Sequence, residues 1–255
     1  MIEKRQGKYL QNIQKGFINH RFFILLRILY LSLEIGDSKK KTMSRLYFDI
    51  LTTTQKKTFE SLKAFSKYGL LGGGTALTLQ LAHRKSYDFD VFDSKPITQR
   101  FLLKVKDHFE KVQILVDTSD ELSLITPFGV KISFVFYPFH PLFKIIPTHG
   151  LSIHSWKDIA LDKAYSIGRR GEWRDYVDLY FCMKNGFSLE EIIKGAKKKF
   201  RGLFSEKLFL SQLCYFGDIK DYSIELMKED ITPQQLRQFF EREIKLQIAN
   251  LKSQI

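Results

Sequence analysis

The chain has 255 residues, 44% of them apolar and 27% charged, which suits a soluble globular protein with one good core, or one core and a smaller helical lobe. A formal net charge of +13 points to a polyanionic partner, although the same balance would also serve solubility alone. The two cysteines, Cys182 and Cys214, sit in apolar surroundings and are expected as free thiols in a reducing, cytoplasmic compartment; no C-x-x-C or His-rich spacing suggests zinc.

Residues 1–42 hold nine Lys/Arg against three acids. Within them Phe22 to Leu33 is apolar but interrupted by Arg27, too short for a membrane span and with a costly charge at its centre. No small-residue cleavage site follows; Lys39, Lys40 and Lys41 do. The stretch reads as an appended basic extension, or as chain upstream of a natural start at Met43. Residues 53–67 then place Phe59, Leu62 and Phe65 on one helical face. Leu70 and Leu71 read as a strand end running into Gly72, Gly73 and Gly74, where the missing Cβ permits positive φ and close approach to a ligand. Thr75 is expected as the N-cap of a helix over 76–82, whose free N–H groups and dipole would favour a phosphate. His83, at the far end, reads equally as a helix cap or a substrate contact.

Next comes Asp88-Phe89-Asp90-Val91-Phe92. Strand alternation puts the two carboxylates on one face, about 7 Å apart, where they can converge on a hard cation such as Mg²⁺. A lone D-x-D would read as an edge strand with solvated aspartates. The glycine loop thirteen residues ahead of Asp88, with basic residues between, favours a phosphate and metal site instead.

Beyond it, residues 98–109 predict a helix, and 112–116, 121–126 and 130–137 predict strands. Pro138, Pro141 and Pro147 mark a connection. After it, 155–167, 173–185, 189–200, 205–216 and 233–251 are helical by period, with Ser188 capping the third of these ahead of Glu190 and Glu191. The expected fold is α+β: a mixed-sheet lobe over 43–150, a helical lobe over 151–255, and a cleft between them. In the helical half, Asp158 and Asp162 lie four apart, Lys163 follows, and Asp175 and Asp178 share a face beyond a break at 168–171. Read by themselves, these form ordinary salt bridges. The cluster Lys194, Lys197, Lys198, Lys199 and Arg201, and the pair Arg169-Arg170, are either solvated faces or RNA contacts.

Two blocks together resemble the abortive-infection nucleotidyltransferase toxins of the AbiEii/AbiGii type. The first is Gly73-Gly74-Thr75-Ala76-Leu77 with His83-Arg84, Ser86 and Asp88-Phe89-Asp90. The second is Asp158-Ile159-Ala160 with Lys163, followed by Arg174-Asp175 and Asp178-Leu179-Tyr180. The resemblance covers about residues 46–185. It implies a nucleotidyltransferase fold and transfer of a nucleotide from an NTP to an RNA acceptor, the 3′ end of tRNA being expected. It further implies neutralisation by a separately encoded antitoxin, with no membrane role. Asp88 and Asp90 would hold Mg²⁺ (or Mn²⁺), while Gly73, Gly74, Thr75, Arg84 and Ser86 would bind the nucleotide. Lys163 would meet the triphosphate, Asp178 would support it or the metal, and Arg174 and Asp175 would assist. A protein side chain as acceptor, or a non-catalytic nucleotide- or RNA-binding relative, stays open. The wider fold usually places a third carboxylate on a later strand. Here that position is Ser133, which shares a face with Lys131 and cannot serve as a general base at neutral pH, so either Asp178 or Asp175 does this work or activity is weak or lost.

Overall fold

A computed structural model describes residues 45–253. The chain divides into two units, residues 1–45 and 46–255, of which the second is compact. The sheet and the helices after it all fall within the second unit. The basic stretch 1–42 and the alternative start at Met43 lie outside the described residues.

Helix α1 (Thr53–Ser61) begins with a reciprocal cap between Thr52 and Gln55 and tightens into a 3₁₀ turn at Leu62–Phe65. Strand β1 (Leu70–Gly72) leads directly into α2 (Gly73–Leu81), and β2 (Phe89–Asp93) follows. Helix α3 (Gln99–Phe109) is capped by Thr98; β3 (Gln113–Asp117), β4 (Glu121–Ile125) and β5 (Lys131–Phe136) complete a five-stranded sheet. Its order is β1-β2-β5-β4-β3, antiparallel throughout except for the parallel β2–β5 pair. The expected α+β architecture is present.

Period-2 alternation divides the sheet into two faces. Phe89, Val91, Leu122, Leu124, Ile132 and Phe134 are buried on one, where Phe65 and Phe101 pack against Phe134 at 5.3 and 4.9 Å between ring centroids. The other face carries Asp90, Ser133 and Ser123 side by side, because Asp90 pairs with Ser133 and Ser133 with Ser123.

The helical part is joined to the sheet at β1 and just beyond β5. After β5 the chain returns beside β1, where the Leu71 N–H donates to the Ser152 carbonyl and the His154 N–H to the Leu71 carbonyl, both at 2.9 Å. It then enters α4 (Trp156–Ile167), capped by Ser155. Buried Gln80 of α2 accepts from the Trp156 N–H at 2.7 Å and donates to the His154 carbonyl at 2.9 Å. On the opposite side the Tyr137 hydroxyl donates to Asp162 at 2.8 Å. Helices α5 (Trp173–Lys184), α6 (Leu189–Phe200), α7 (Glu206–Leu213) and α8 (Pro233–Ser253) follow. The expected cap at Ser188 is a full capping box with Glu191. Helix α2 is apolar and buried on nearly every side, as befits a helix between the sheet and α4. Cys182 is a buried free thiol and Cys214 a half-buried one.

One local expectation changes. The N-cap of α2 is Gly72, three residues ahead of Thr75, and the helix starts with no side-chain cap. A positive φ of 64° at Gly73 lets the chain enter the helix sooner than a threonine cap would have allowed.

Candidate active site

The glycine run is dictated by what lies against it. A Cβ on Gly73 would sit 2.2 Å from Asp90 Oδ2, and one on Gly74 would sit 2.4 Å from an Arg84 guanidinium nitrogen and 2.9 Å from Ser86 Oγ. A side chain at either position would displace the aspartate or the arginine. Thr75 is buried, its hydroxyl bonded to the Asp88 carbonyl and 2.9 Å from Ser86 Oγ. It thereby ties the residue that opens the D-x-D segment to the first turn of α2.

Asp88 lies one residue ahead of β2 and Asp90 within it, with Phe89 and Val91 buried on the opposite face. Burial pushes the Asp90 carboxyl above its ordinary range; Lys163 opposes this and Asp88 adds to it. The charged form of Asp90 is therefore only partly compensated by the protein.

Behind Asp90 is a buried ionic cluster. Arg84 grips Asp178 with two bonds, Nε to Oδ1 at 2.6 Å and Nη2 to Oδ2 at 2.9 Å. His83 Nε2 lies 2.7 Å from the same Oδ1, and Lys163 Nζ reaches Asp178 Oδ2 at 2.8 Å and Asp175 Oδ1 at 2.5 Å. Burial alone would raise the Asp178 carboxyl, but the Arg84 and Lys163 charges outweigh it and hold it well below the carboxylate range. Burial also disfavours charged Lys163, yet Asp175 and Asp178 keep it protonated. His83 is pushed down by desolvation despite its bond to Asp178. The left-handed Ala82 (φ 50°) ends α2 so that His83 and Arg84 turn inward toward α5.

Of the residues singled out in the sequence, the fold brings Gly73, Gly74, Thr75, Arg84, Ser86, Asp90, Lys163, Asp175 and Asp178 into one contiguous set, with Asp88 at its edge. Arg84 and Thr75 spend their polar groups on protein partners. Arg174 is exposed on α5, within electrostatic reach of Asp221. Arg169 stacks on Tyr165 at 3.5 Å and donates to the Leu203 carbonyl at 2.9 Å, whereas Arg170 is 64% exposed and only loosely paired with Asp175, at 3.8 Å. Within the lysine cluster Lys199 is buried, bonded to Asp162 at 2.5 Å and Asp158 at 3.3 Å, so it belongs to the core and not to a groove. Two residues on the site face were not anticipated: Ser123, within hydrogen-bond distance of Ser133, and Glu121, bonded to Ser123. The polar i, i+2 spacing in Glu121-Leu122-Ser123, the same as in the D-x-D segment, was the available clue.

A five-stranded mixed sheet followed by helices, with an aspartate pair beside a glycine-led helix, defines a nucleotidyltransferase-type protein. Residues 59–252 match the family described as nucleotidyl transferase AbiEii toxin of type IV toxin–antitoxin systems. An uncharacterised protein of Aquifex aeolicus (strain VF5) is 36% identical over 189 residues, covering 71% of this chain and 88% of that protein. Among solved structures, MenT4, a nucleotidyltransferase toxin of Mycobacterium tuberculosis H37Rv, has a TM-score of 0.51 at 16% identity, over 73% of this chain and 81% of its own, a likeness of fold. The chain belongs to the AbiEii nucleotidyltransferase toxin family, and its activity is nucleotidyl transfer.

Proposed function

We propose that the protein transfers a nucleoside monophosphate from an NTP to an RNA acceptor, the 3′ end of tRNA, and so halts translation until its antitoxin intervenes. The observation that carries the reading is Asp90, half-buried against Gly73, with a cationic cluster behind it that is already shared among Asp175 and Asp178. An acid in that position lacks a full counter-charge, and a divalent cation would provide it. The donors suit Mg²⁺ or Mn²⁺: Asp88 and Asp90 offer oxygen ligands only, and Mg²⁺ commonly binds through one or two carboxylates plus substrate phosphates. Among the described residues no group of three or more His, Cys, Asp or Glu is placed to hold a metal. When bound, the metal would offset charge developing on the phosphates.

Each side chain then has a role. The uncapped first turn of α2 at Gly73 and Gly74 presents N–H groups to phosphate oxygens. Lys163 directs positive potential at the same space, while Asp178 and Asp175 position it and Ser86 and Arg84 hold the loop. Arg170 and the net charge of +13 favour an RNA acceptor. The basic stretch 1–42, which precedes the family match at residue 59, would add to that attraction.

The test is incubation with each α-labelled NTP, Mg²⁺ and total tRNA, followed by separation of labelled RNA from labelled protein. Label on tRNA that disappears in Asp88→Ala and Asp90→Ala is expected. Label on protein instead would replace the acceptor, and transfer that survives both substitutions would overturn the assignment of roles.

A further inference from the structure

We infer that Glu121, on the strand next to Ser133, supplies the missing proton acceptor through a two-serine relay, Ser133–Ser123–Glu121. The inference rests on the proposed transfer to an acceptor hydroxyl. Hydrogen-bond direction supports it. The Ser123 hydroxyl donates to Glu121 Oε1 at 2.6 Å, and Ser123 and Ser133 Oγ are 2.7 Å apart. A serine hydroxyl has one proton, and that of Ser123 is committed to Glu121, so Ser133 must be the donor to Ser123. Ser133 Oγ is thereby left with lone pairs to accept a bond.

Register places this acceptor well. Ser133 is the β5 partner of Asp90 on β2, and Ser123 is the β4 partner of Ser133. All three side chains lie on the face opposite the apolar one of Phe89, Ile132 and Leu124. Glu121 is close enough to Asp90 to influence it electrostatically and is half-exposed, so a proton delivered to it can pass to water. Both serines are buried, which keeps the chain free of competing water. A serine alone cannot replace the carboxylate expected on β5. A serine connected to a carboxylate by a second hydroxyl can.

The step balances. The acceptor hydroxyl oxygen forms a bond to the α-phosphorus as the α–β phosphoanhydride P–O bond breaks, and pyrophosphate leaves with that electron pair. The acceptor proton moves to Ser133 Oγ, the Ser133 proton to Ser123 Oγ, and the Ser123 proton to the Glu121 carboxylate. Both serines end neutral with their proton positions shifted by one oxygen.

The test uses the full chain in single-turnover transfer with saturating NTP and Mg²⁺. Glu121→Gln, which keeps an oxygen for Ser123, is expected to lower the rate about 100-fold, the ordinary size of a general-base contribution, with NTP affinity unchanged. Ser133→Ala should fall comparably, and the double variant no further, because both interrupt one chain. Glu121→Gln combined with Ser133→Asp, which puts a carboxylate directly beside Asp90, should recover most of the rate. For the unaltered protein, the rate in mixed H₂O/D₂O should bow, reporting more than one proton in flight; a straight line overturns the relay even if a variant fails to fold. Full rate in Glu121→Gln, or losses that multiply in the double variant, also overturns it. Unaltered protein that labels no acceptor refutes the proposed function, whereas transfer lost in Asp90→Ala but retained in Glu121→Gln refutes the relay alone.

Discussion

Asp90 is pushed up by burial because Lys163, the cation that most opposes that shift, is shared with Asp175 and Asp178. A carboxyl raised in this way binds its proton more tightly folded than unfolded, so metal-free stability falls as pH rises from the unfolded value of about 3.9 through the higher folded one. Asp90→Asn should therefore raise the melting temperature of the metal-free protein at pH 7 by roughly 2 °C, while removing transfer activity and any stabilisation by Mg²⁺. Differential scanning fluorimetry with and without Mg²⁺ checks both. Asp178 runs the other way. Its stabilisation is present above the unfolded value and lost as pH falls through its depressed folded value. Asp178→Ala leaves Arg84, His83 and Lys163 buried without their shared acceptor, and should cost about 3–5 kcal/mol in urea titration. Activity loss in that variant would accompany loss of fold, unlike Asp90→Asn.

At the scale of elements, the β1–α2–β2 unit explains why three glycines are consecutive. Gly73 combines a positive φ with the Asp90 carboxylate where a Cβ would go. Gly73→Ala should cost about 1–3 kcal/mol and lower activity at least tenfold, through displacement of Asp90. Ala82, by contrast, occupies the left-handed region with no glycine, and Ala82→Gly should be neutral to stabilising by about 0.5–1 kcal/mol in the same denaturation assay. Helices α3 to α8 were legible from their 3.6-residue period, and Thr98, Ser155, Ser188 and Ser205 mark helix starts because their hydroxyls accept first-turn N–H groups. The start of α2 was not legible: Thr75 has the chemistry of a cap, but its hydroxyl is taken by the backbone of residue 88, a contact set by the loop's return.

For the molecule as a whole, with the proposed tRNA acceptor a net charge of +13 predicts that tRNA binding weakens steeply with salt, and that Arg170→Glu weakens it at every sequence alike. Binding isotherms from about 50 to about 300 mM KCl measure the slope; Lys199→Met, which changes a buried charge, should leave that slope unaltered. No described helix is long and apolar enough to cross a membrane. The sequence by itself determined the strand and helix inventory and two motif blocks specific enough to indicate the family, because these depend on local period and spacing. Only the tertiary structure decided which charges face inward. Lys199 reads like its neighbours Lys197 and Lys198 in a basic run, yet packing turns it onto Asp158 and Asp162. Likewise Ser133 stands alone in sequence and acquires Ser123 and Glu121 only through strand register. Lateral pairing joins residues far apart along the chain, and no periodicity within one strand encodes its neighbour.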